Sequence, residues 1–278
     1  MKNLLLISNI SADNEQLIEY AAKFCRHYEC KLHIFHMAEN SSPVLVSSPR
    51  YYEEFDIEYE ANSSLKISKK IVDITSKILD REFIQVKVEV GNKNKILTNF
   101  INENFIDMVV IGSVDFNGKS DFKEHKNFLM NVINTPLLVV PENQLFEPLL
   151  QFNFLTKHTT ADLNHIIKLI EIFPQTEIKL THLISSTEEA IDKMKSEKWV
   201  KYVKEKAGET ISYQSLKNDI KEYIKDENYS IVNHFHAFVF TSHKRNFWSR
   251  LLDPSTTLGF LTSLEIPAVV FKVEKEVS

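Results

Sequence analysis

Met108-Val109-Val110-Ile111-Gly112 is an unbroken apolar run closed by one of only five glycines in 278 residues. A run without polar alternation reads as a strand covered on both faces, which is the environment of a parallel sheet. Pro136 then opens a second such run, Leu137-Leu138-Val139-Val140. Working back towards the amino terminus, Gln85 to Val90 alternates with β-branched residues up to Gly91, and Lys31-Leu32-His33-Ile34-Phe35-His36-Met37 and Leu4 to Ser8 give two further strands. Between them, apolar residues recur at helical spacing: Leu17, Ile18, Ala21, Ala22, Phe24 and Cys25; then Leu65, Ile67, Ile71, Val72, Ile74, Thr75, Ile78 and Leu79; then Ile96, Leu97, Phe100 and Ile101. A further helical segment is expected around Phe128 to Ile133, and a long loop around Pro43, Pro49, Tyr51 and Tyr52. Strands alternating with helices imply a parallel, doubly wound sheet with right-handed crossovers.

The second half repeats the plan. Phe152 to Leu155, Ile178 to Ile184 and Thr210 to Ser215 read as strands. Helices are expected at Leu163 to Ile170, stopped by Pro174, at about Glu188 to Lys206, and around Ile220, Tyr223 and Ile224. Ala237-Phe238-Val239-Phe240-Thr241 matches Met108 to Gly112, and Pro267-Ala268-Val269-Val270-Phe271 matches Pro136 to Val140. Two correspondences closing the two halves indicate an internal duplication. Pro267 lies 131 positions after Pro136, whereas His182 lies 146 after His36. The second copy is therefore shorter by about 15 residues, and the long loop between Pro43 and Tyr59 is the natural site of the loss. The expected fold class is α/β, with two tandem doubly wound, Rossmann-like domains spanning 1–143 and 144–278, each a five-stranded parallel sheet flanked by helices.

Composition bounds the function. Hydrophobic residues make up 43% of the chain and charged residues 26%, enough for a core in each half. A net charge of −5, without any block of like charge, disfavours nucleic acid as a partner. No run approaches the roughly 18 apolar residues of a membrane helix, and the opening apolar run is too short for a secretory signal, so a cytoplasmic location is expected. Cys25 and Cys30 have neither CxxC nor zinc-site spacing and read as reduced, buried thiols.

In a doubly wound sheet, ligands bind beyond the carboxyl ends of the strands where strand order reverses, so the loops after the first and fourth strands of each copy carry the chemistry. A phosphate loop there needs glycines for close backbone approach, then Ser or Thr at a helix N-terminus whose free N–H groups face the anion. The strand order, the His at the end of the second strand and the Pro-led final strand resemble the universal stress protein family in a tandem form. ATP-binding members of that family carry a glycine, two residues, a second glycine, nine residues, then Gly followed by Ser or Thr. On that pattern the first copy keeps Gly112, followed by Ser113, and has Asp115 at the second glycine and His125-Lys126 in place of Gly-Ser; Gly118 stands where the family often has glycine. In the second copy Thr241, Lys244 and Pro254 replace all three glycines and only Ser255 remains. The acidic residue after the first strand corresponds to Asn9 and Thr156.

Side chains at glycine positions fill the space a phosphate would take, Asp115 adds a like charge, and Pro254 removes a donor. The resemblance thus implies a non-catalytic stress-response protein acting through protein contacts, with no cofactor and with ATP disfavoured as a ligand. Residual nucleotide contacts fall on Asn9, Gly112, Ser113, Gly118 and Ser255, and other anion contacts on Lys244, Arg245 and Arg250. The alternative is a nucleotide or small-anion binding module using the first copy's crevice near Asn9, Gly112 and Ser113. An adenylate-handling enzyme is the weaker rival, because neither an intact phosphate loop nor metal carboxylates are present. By the same resemblance, Leu137 to Val140 and Ala268 to Phe271 would pair antiparallel as an internal pseudo-dimer, leaving homodimerisation open.

His234, His236 and His243 lack a matching carboxylate or Cys, so no metal is expected; His33, His36 and His182 read as structural histidines on strands. Phe247-Trp248 between basic residues reads as a contact with a neighbouring domain, and Trp199, Tyr202 and Val203 as the apolar stripe of a surface helix.

Overall fold

A computed structural model describes residues 1–8, 15–37, 65–89, 93–113, 134–141, 143–183, 189–208, 210–216, 235–242 and 265–273. Its contacts group the chain into two compact units, 2–111 and 112–278.

In the first unit, β1 (Asn3–Ser8), α1 (Glu15–Tyr28), β2 (Lys31–Met37), α2 (residues 65–75), β3 (Ile84–Glu89), α3 (Lys93–Glu103) and β4 (Met108–Gly112) follow in turn. The strands run in the order β3-β2-β1-β4, all parallel. Every residue of β1 after Asn3 is buried, as is every residue of β4, which is why these segments carry no polar alternation. Asp107 fixes the start of β1: its Oδ2 accepts the backbone N–H of Lys2 at 2.6 Å and of Asn3 at 2.9 Å.

Helix α1 begins on Glu15 and ends with Arg26 and His27, charges that complement the helix dipole. It stops because Glu29 adopts φ 51° and the Cys30 N–H returns to the Cys25 carbonyl at 3.0 Å, a Schellman closure without glycine. Helix α2 ends sooner than its apolar periodicity implies. Thr75 turns its hydroxyl onto the Ile71 carbonyl at 2.9 Å, and the N–H groups of Ile78 and Leu79 both close on the Thr75 carbonyl, so Ile78 and Leu79 lie in a turn.

The second unit contains β5 (Leu137–Val140), β6 (Gln151–Thr156), α4 (Thr160–Ile172), β7 (Glu177–Leu183), α5 (Glu189–Ala207), β8 (Ile211–Leu216), β9 (Ala237–Ser242) and β10 (Ala268–Lys272). Five strands, β10-β9-β6-β7-β8, are parallel, and β5 pairs antiparallel with β10, Val139 opposite Ala268. The order β8-β7-β6-β9 reproduces β3-β2-β1-β4. Phe152, Phe154, Phe240 and Phe271 pack as fully buried rings; each large apolar side chain buried contributes on the order of 2 kcal/mol.

The pairing registers refine one alignment. Ser8 stands opposite His36 and Thr156 opposite His182, so the counterpart of Asn9 is Lys157, one residue beyond Thr156. No described helix is long and apolar enough to cross a membrane. The expected long loop at 43–59 and the helices around 128–133 and 220–224 lie outside the described residues.

Candidate functional site

Strand order reverses between β6 and β9 in the second unit, and the ligand crevice of such a sheet lies beyond the carboxyl ends of those strands. The turn leaving β6 is described in full. Thr156 ends the strand, Lys157 and His158 turn, and Thr159 caps α4. Thr159 Oγ1 accepts the Asp162 N–H at 3.1 Å while Asp162 Oδ2 accepts the Thr159 N–H at 3.0 Å, a complete capping box. The same Oδ2 also accepts the Lys157 N–H at 3.0 Å and the Thr156 hydroxyl at 3.1 Å. Three donors at a strand-to-helix turn thus converge on one oxygen, the arrangement that such turns offer to a bound anion. Here the anion is the chain's own carboxylate, and Asp162 is only 1% exposed.

His158 sits beside this turn with φ 60°, a left-handed conformation that a residue with a Cβ adopts at a cost of about 1 kcal/mol. Its N–H donates to Thr156 Oγ1 at 2.9 Å, which steadies that conformation. The imidazole then stacks on His182 at 4.1 Å and 30°, lies against Trp199 at 4.8 Å and Tyr213 at 5.7 Å, and meets Ser196 Oγ at 3.4 Å from Nδ1. Trp199 and Ser196 come from α5, His182 from the end of β7 and Tyr213 from within β8, so two parallel strands and a helix close on one ring. His182 Nδ1 donates to the Thr156 carbonyl at 3.0 Å, which fixes its tautomer.

On the β9 side, Thr241 stands at the position aligned above with the first glycine of the phosphate loop. It is 3% exposed and its hydroxyl meets His165 Nδ1 at 3.0 Å; His165 Nε2 donates to the Lys272 carbonyl at 3.2 Å, and its ring stacks on Phe271 at 4.9 Å and 15°. The substituted glycine position is therefore tied into the packing of α4 against β9 and β10.

In the first unit the reversal falls between β1 and β4. Ser8, fully buried at the carboxyl end of β1, has no hydrogen-bond partner for its Oγ among the described residues. Gly112 and the buried Ser113 stand at the end of β4. His33 Nε2 meets Asn3 Oδ1 at 3.2 Å; burial, then Lys31, hold its imidazole down to about 4, so it is a neutral structural histidine. His236 Nδ1 accepts the Gln151 N–H at 3.1 Å and serves the same kind of purpose.

Residues 1–141 match the universal stress protein family. This chain belongs to the universal stress protein family. No curated protein matches it. Among solved structures, a universal stress protein from Archaeoglobus fulgidus is similar over 99% of this chain and 97% of its own, with a TM-score of 0.66 at 11% identity. A universal stress protein from Pseudomonas aeruginosa is similar over 98% and 93%, with a TM-score of 0.56 at 9% identity. At such identities the likeness speaks for the fold of this universal stress protein alone.

Of the site residues read from the sequence, the structure places Gly112 and Ser113 where the fourth strand ends. Asn9, Gly118, Lys244, Arg245, Arg250 and Ser255 lie outside the described residues, as do His234, His243, Phe247 and Trp248. The sequence reading passed over Asp162 and His158. The first was legible, because Thr159 and Asp162 have capping-box spacing ahead of an apolar helix. The second was not: nothing in the sequence brings His158 to His182, Trp199 and Tyr213.

Proposed function

We propose that this universal stress protein is a non-catalytic, duplicated member that works through protein contacts and that its second unit has given up phosphate capture. One observation carries the reading: three donors of the β6-to-α4 turn are spent on Asp162 Oδ2. The stack of His158 on His182 beneath Trp199 occupies adjacent space beyond the strand ends. A nucleotide phosphate entering there has to displace a buried carboxylate that accepts three hydrogen bonds and supports a helix cap. Repelling the phosphate by charge comes in addition.

A second reading assigns a nucleotide or small anion to the first unit, and Ser8 favours it. A buried hydroxyl without a partner costs about 1–3 kcal/mol, which a ligand at the end of β1 would recover.

Thermal melting with millimolar ATP, ADP and AMP separates the two. A ligand at a hundredfold excess over its Kd stabilises the folded form by about 2.7 kcal/mol, several degrees of Tm. No shift with any nucleotide is the outcome expected of the first reading. A shift that disappears in Ser8→Val assigns binding to the first unit and overturns the protein-contact reading, and turnover of ATP overturns the non-catalytic assignment as well.

A further inference from the structure

Cys25 lies in the last turn of α1 and Cys30 directly precedes β2. In the Schellman closure of α1 these are the two positions whose side chains meet, an arrangement normally filled by a pair of apolar residues. Here two thiols meet, with Sγ to Sγ 3.1 Å, inside the van der Waals separation of two sulfurs. Both are free and buried, at 1% and 2% exposure. The backbone on either side is held: Cys30 N–H to the Cys25 carbonyl at 3.0 Å, and Lys31 N–H to the Lys2 carbonyl at 2.8 Å.

We infer that Cys25 and Cys30 form a reversible dithiol–disulfide pair that small hydroperoxides oxidise. A disulfide needs the sulfurs at about 2.05 Å, so the pair has to close by roughly 1 Å. With the backbone held on either side, side-chain rotation is the route by which the gap would close.

The chemistry balances with hydrogen peroxide as oxidant. One thiol gives up its proton and, as thiolate, attacks a peroxide oxygen to become a sulfenic acid, and the departing hydroxide takes up that proton and leaves as water. The second thiol then displaces the sulfenic oxygen as a second water, so two thiols and one peroxide give one disulfide and two waters. The neighbouring sulfur resolves the sulfenic acid before a further peroxide arrives, which protects the pair from irreversible oxidation. Burial sets the selectivity: a molecule little larger than water reaches the pair through local opening, whereas glutathione disulfide does not. Burial, and then the contact with Cys30, raise the Cys25 thiol well above its ordinary range. The rate should therefore rise about tenfold per pH unit through the neutral and mildly alkaline range.

The test uses the full chain. Reduced protein is exposed to millimolar hydrogen peroxide, denatured in a thiol-blocking alkylator and mapped by mass spectrometry, in parallel with a sample oxidised in 8 M urea. Expected is a loss of about 2 Da on the segment containing both cysteines, no alkylation at either, and full reversal by dithiothreitol. Oxidised glutathione should leave both thiols free. Cys25→Ser and Cys30→Ser should each abolish the mass loss and leave the remaining cysteine to gain oxygen. Two thiols that stay alkylatable in folded wild-type protein, while the urea sample forms the bond, overturn the inference, and so do disulfides found only between chains. The wild-type map decides the matter even where a serine variant folds poorly.

Discussion

Replacing Asp162 is the sharpest test of a turn that binds its own anion. In Asp162→Ala, the Thr156 hydroxyl and the Lys157 and Thr159 N–H groups all lose their acceptor, which now stands 3.0–3.1 Å from each. A hydrogen bond to a charged group contributes about 1.5–3 kcal/mol, but three donors share one oxygen and two of them are only partly buried, so a sum near 3 kcal/mol is the expected loss. Asp162→Asn keeps one acceptor oxygen and loses the charge, which halves the strength of such bonds, and should cost about 1.5 kcal/mol. Urea unfolding reports both as a lower midpoint at unchanged slope. The vacated turn also keeps its donors, so formate or inorganic phosphate should raise the stability of Asp162→Ala and leave the wild type unmoved. An alanine cost below about 1 kcal/mol, together with no anion effect, refutes the account of this turn as an occupied anion site.

His33 makes stability depend on pH. Its folded value near 4 lies below the ordinary value of 6.5, so the unfolded chain takes up a proton first as pH falls. The stabilising contribution is present above pH 6.5 and is lost towards pH 4; against a His33→Gln variant, the wild type should lose about 2 kcal/mol between pH 7.5 and pH 5 in denaturant titrations. Asp107→Ala removes the acceptor for the first two N–H groups of β1 and should cost about 1 kcal/mol by the same titration, with faster hydrogen exchange confined to the start of that strand. His165→Leu keeps the packing on Phe271 but strands the Thr241 hydroxyl, and about 1–2 kcal/mol is expected from its melting curve. Phe154→Ala, in the centre of β6, should cost about 3–5 kcal/mol; a value under 2 indicates that the site collapses around the deletion.

The strands were legible because burial on both faces leaves a mark that few other environments leave. Met108 to Gly112 and Leu137 to Val140 have the limits their apolar runs imply, and the ends of β6, β7 and β8 each move by one residue. Helix α2 shows where such reading stops: Ile78 and Leu79 keep the apolar period, yet the Thr75 hydroxyl competes for a backbone carbonyl and the chain turns. The candidate site divides along the same line. Substitution of glycine by Thr241 is visible in the sequence, but the use of that hydroxyl by His165 is not, since it depends on how α4 lies against β9. Nor does any local pattern foretell that His158 will take a left-handed backbone and stack on a residue 24 positions away.

The two kinds of position answer to different physical constraints, and this explains how the fold can persist while its loops change. A strand such as β4, with all five residues buried and none of them polar, tolerates only apolar exchange of similar volume, because each methylene lost leaves a void. A turn beyond the strand end needs only that its donors be satisfied, whether by a phosphate or by a carboxylate of the chain. Once Asp162 supplies the acceptor, glycine at the facing strand end is no longer required for close approach of a ligand. Thr241 can then enter and bond to His165, and His158 can fill the space between the strand ends and α5. On the proposed reading, each of these steps adds packing or hydrogen bonding to the protein while removing room for a ligand, so stability and loss of the pocket proceed together. Returning the pocket therefore requires concerted change: Asp162, His158 and Thr241 have to be reduced together, and each single reversal should destabilise the protein without conferring nucleotide affinity.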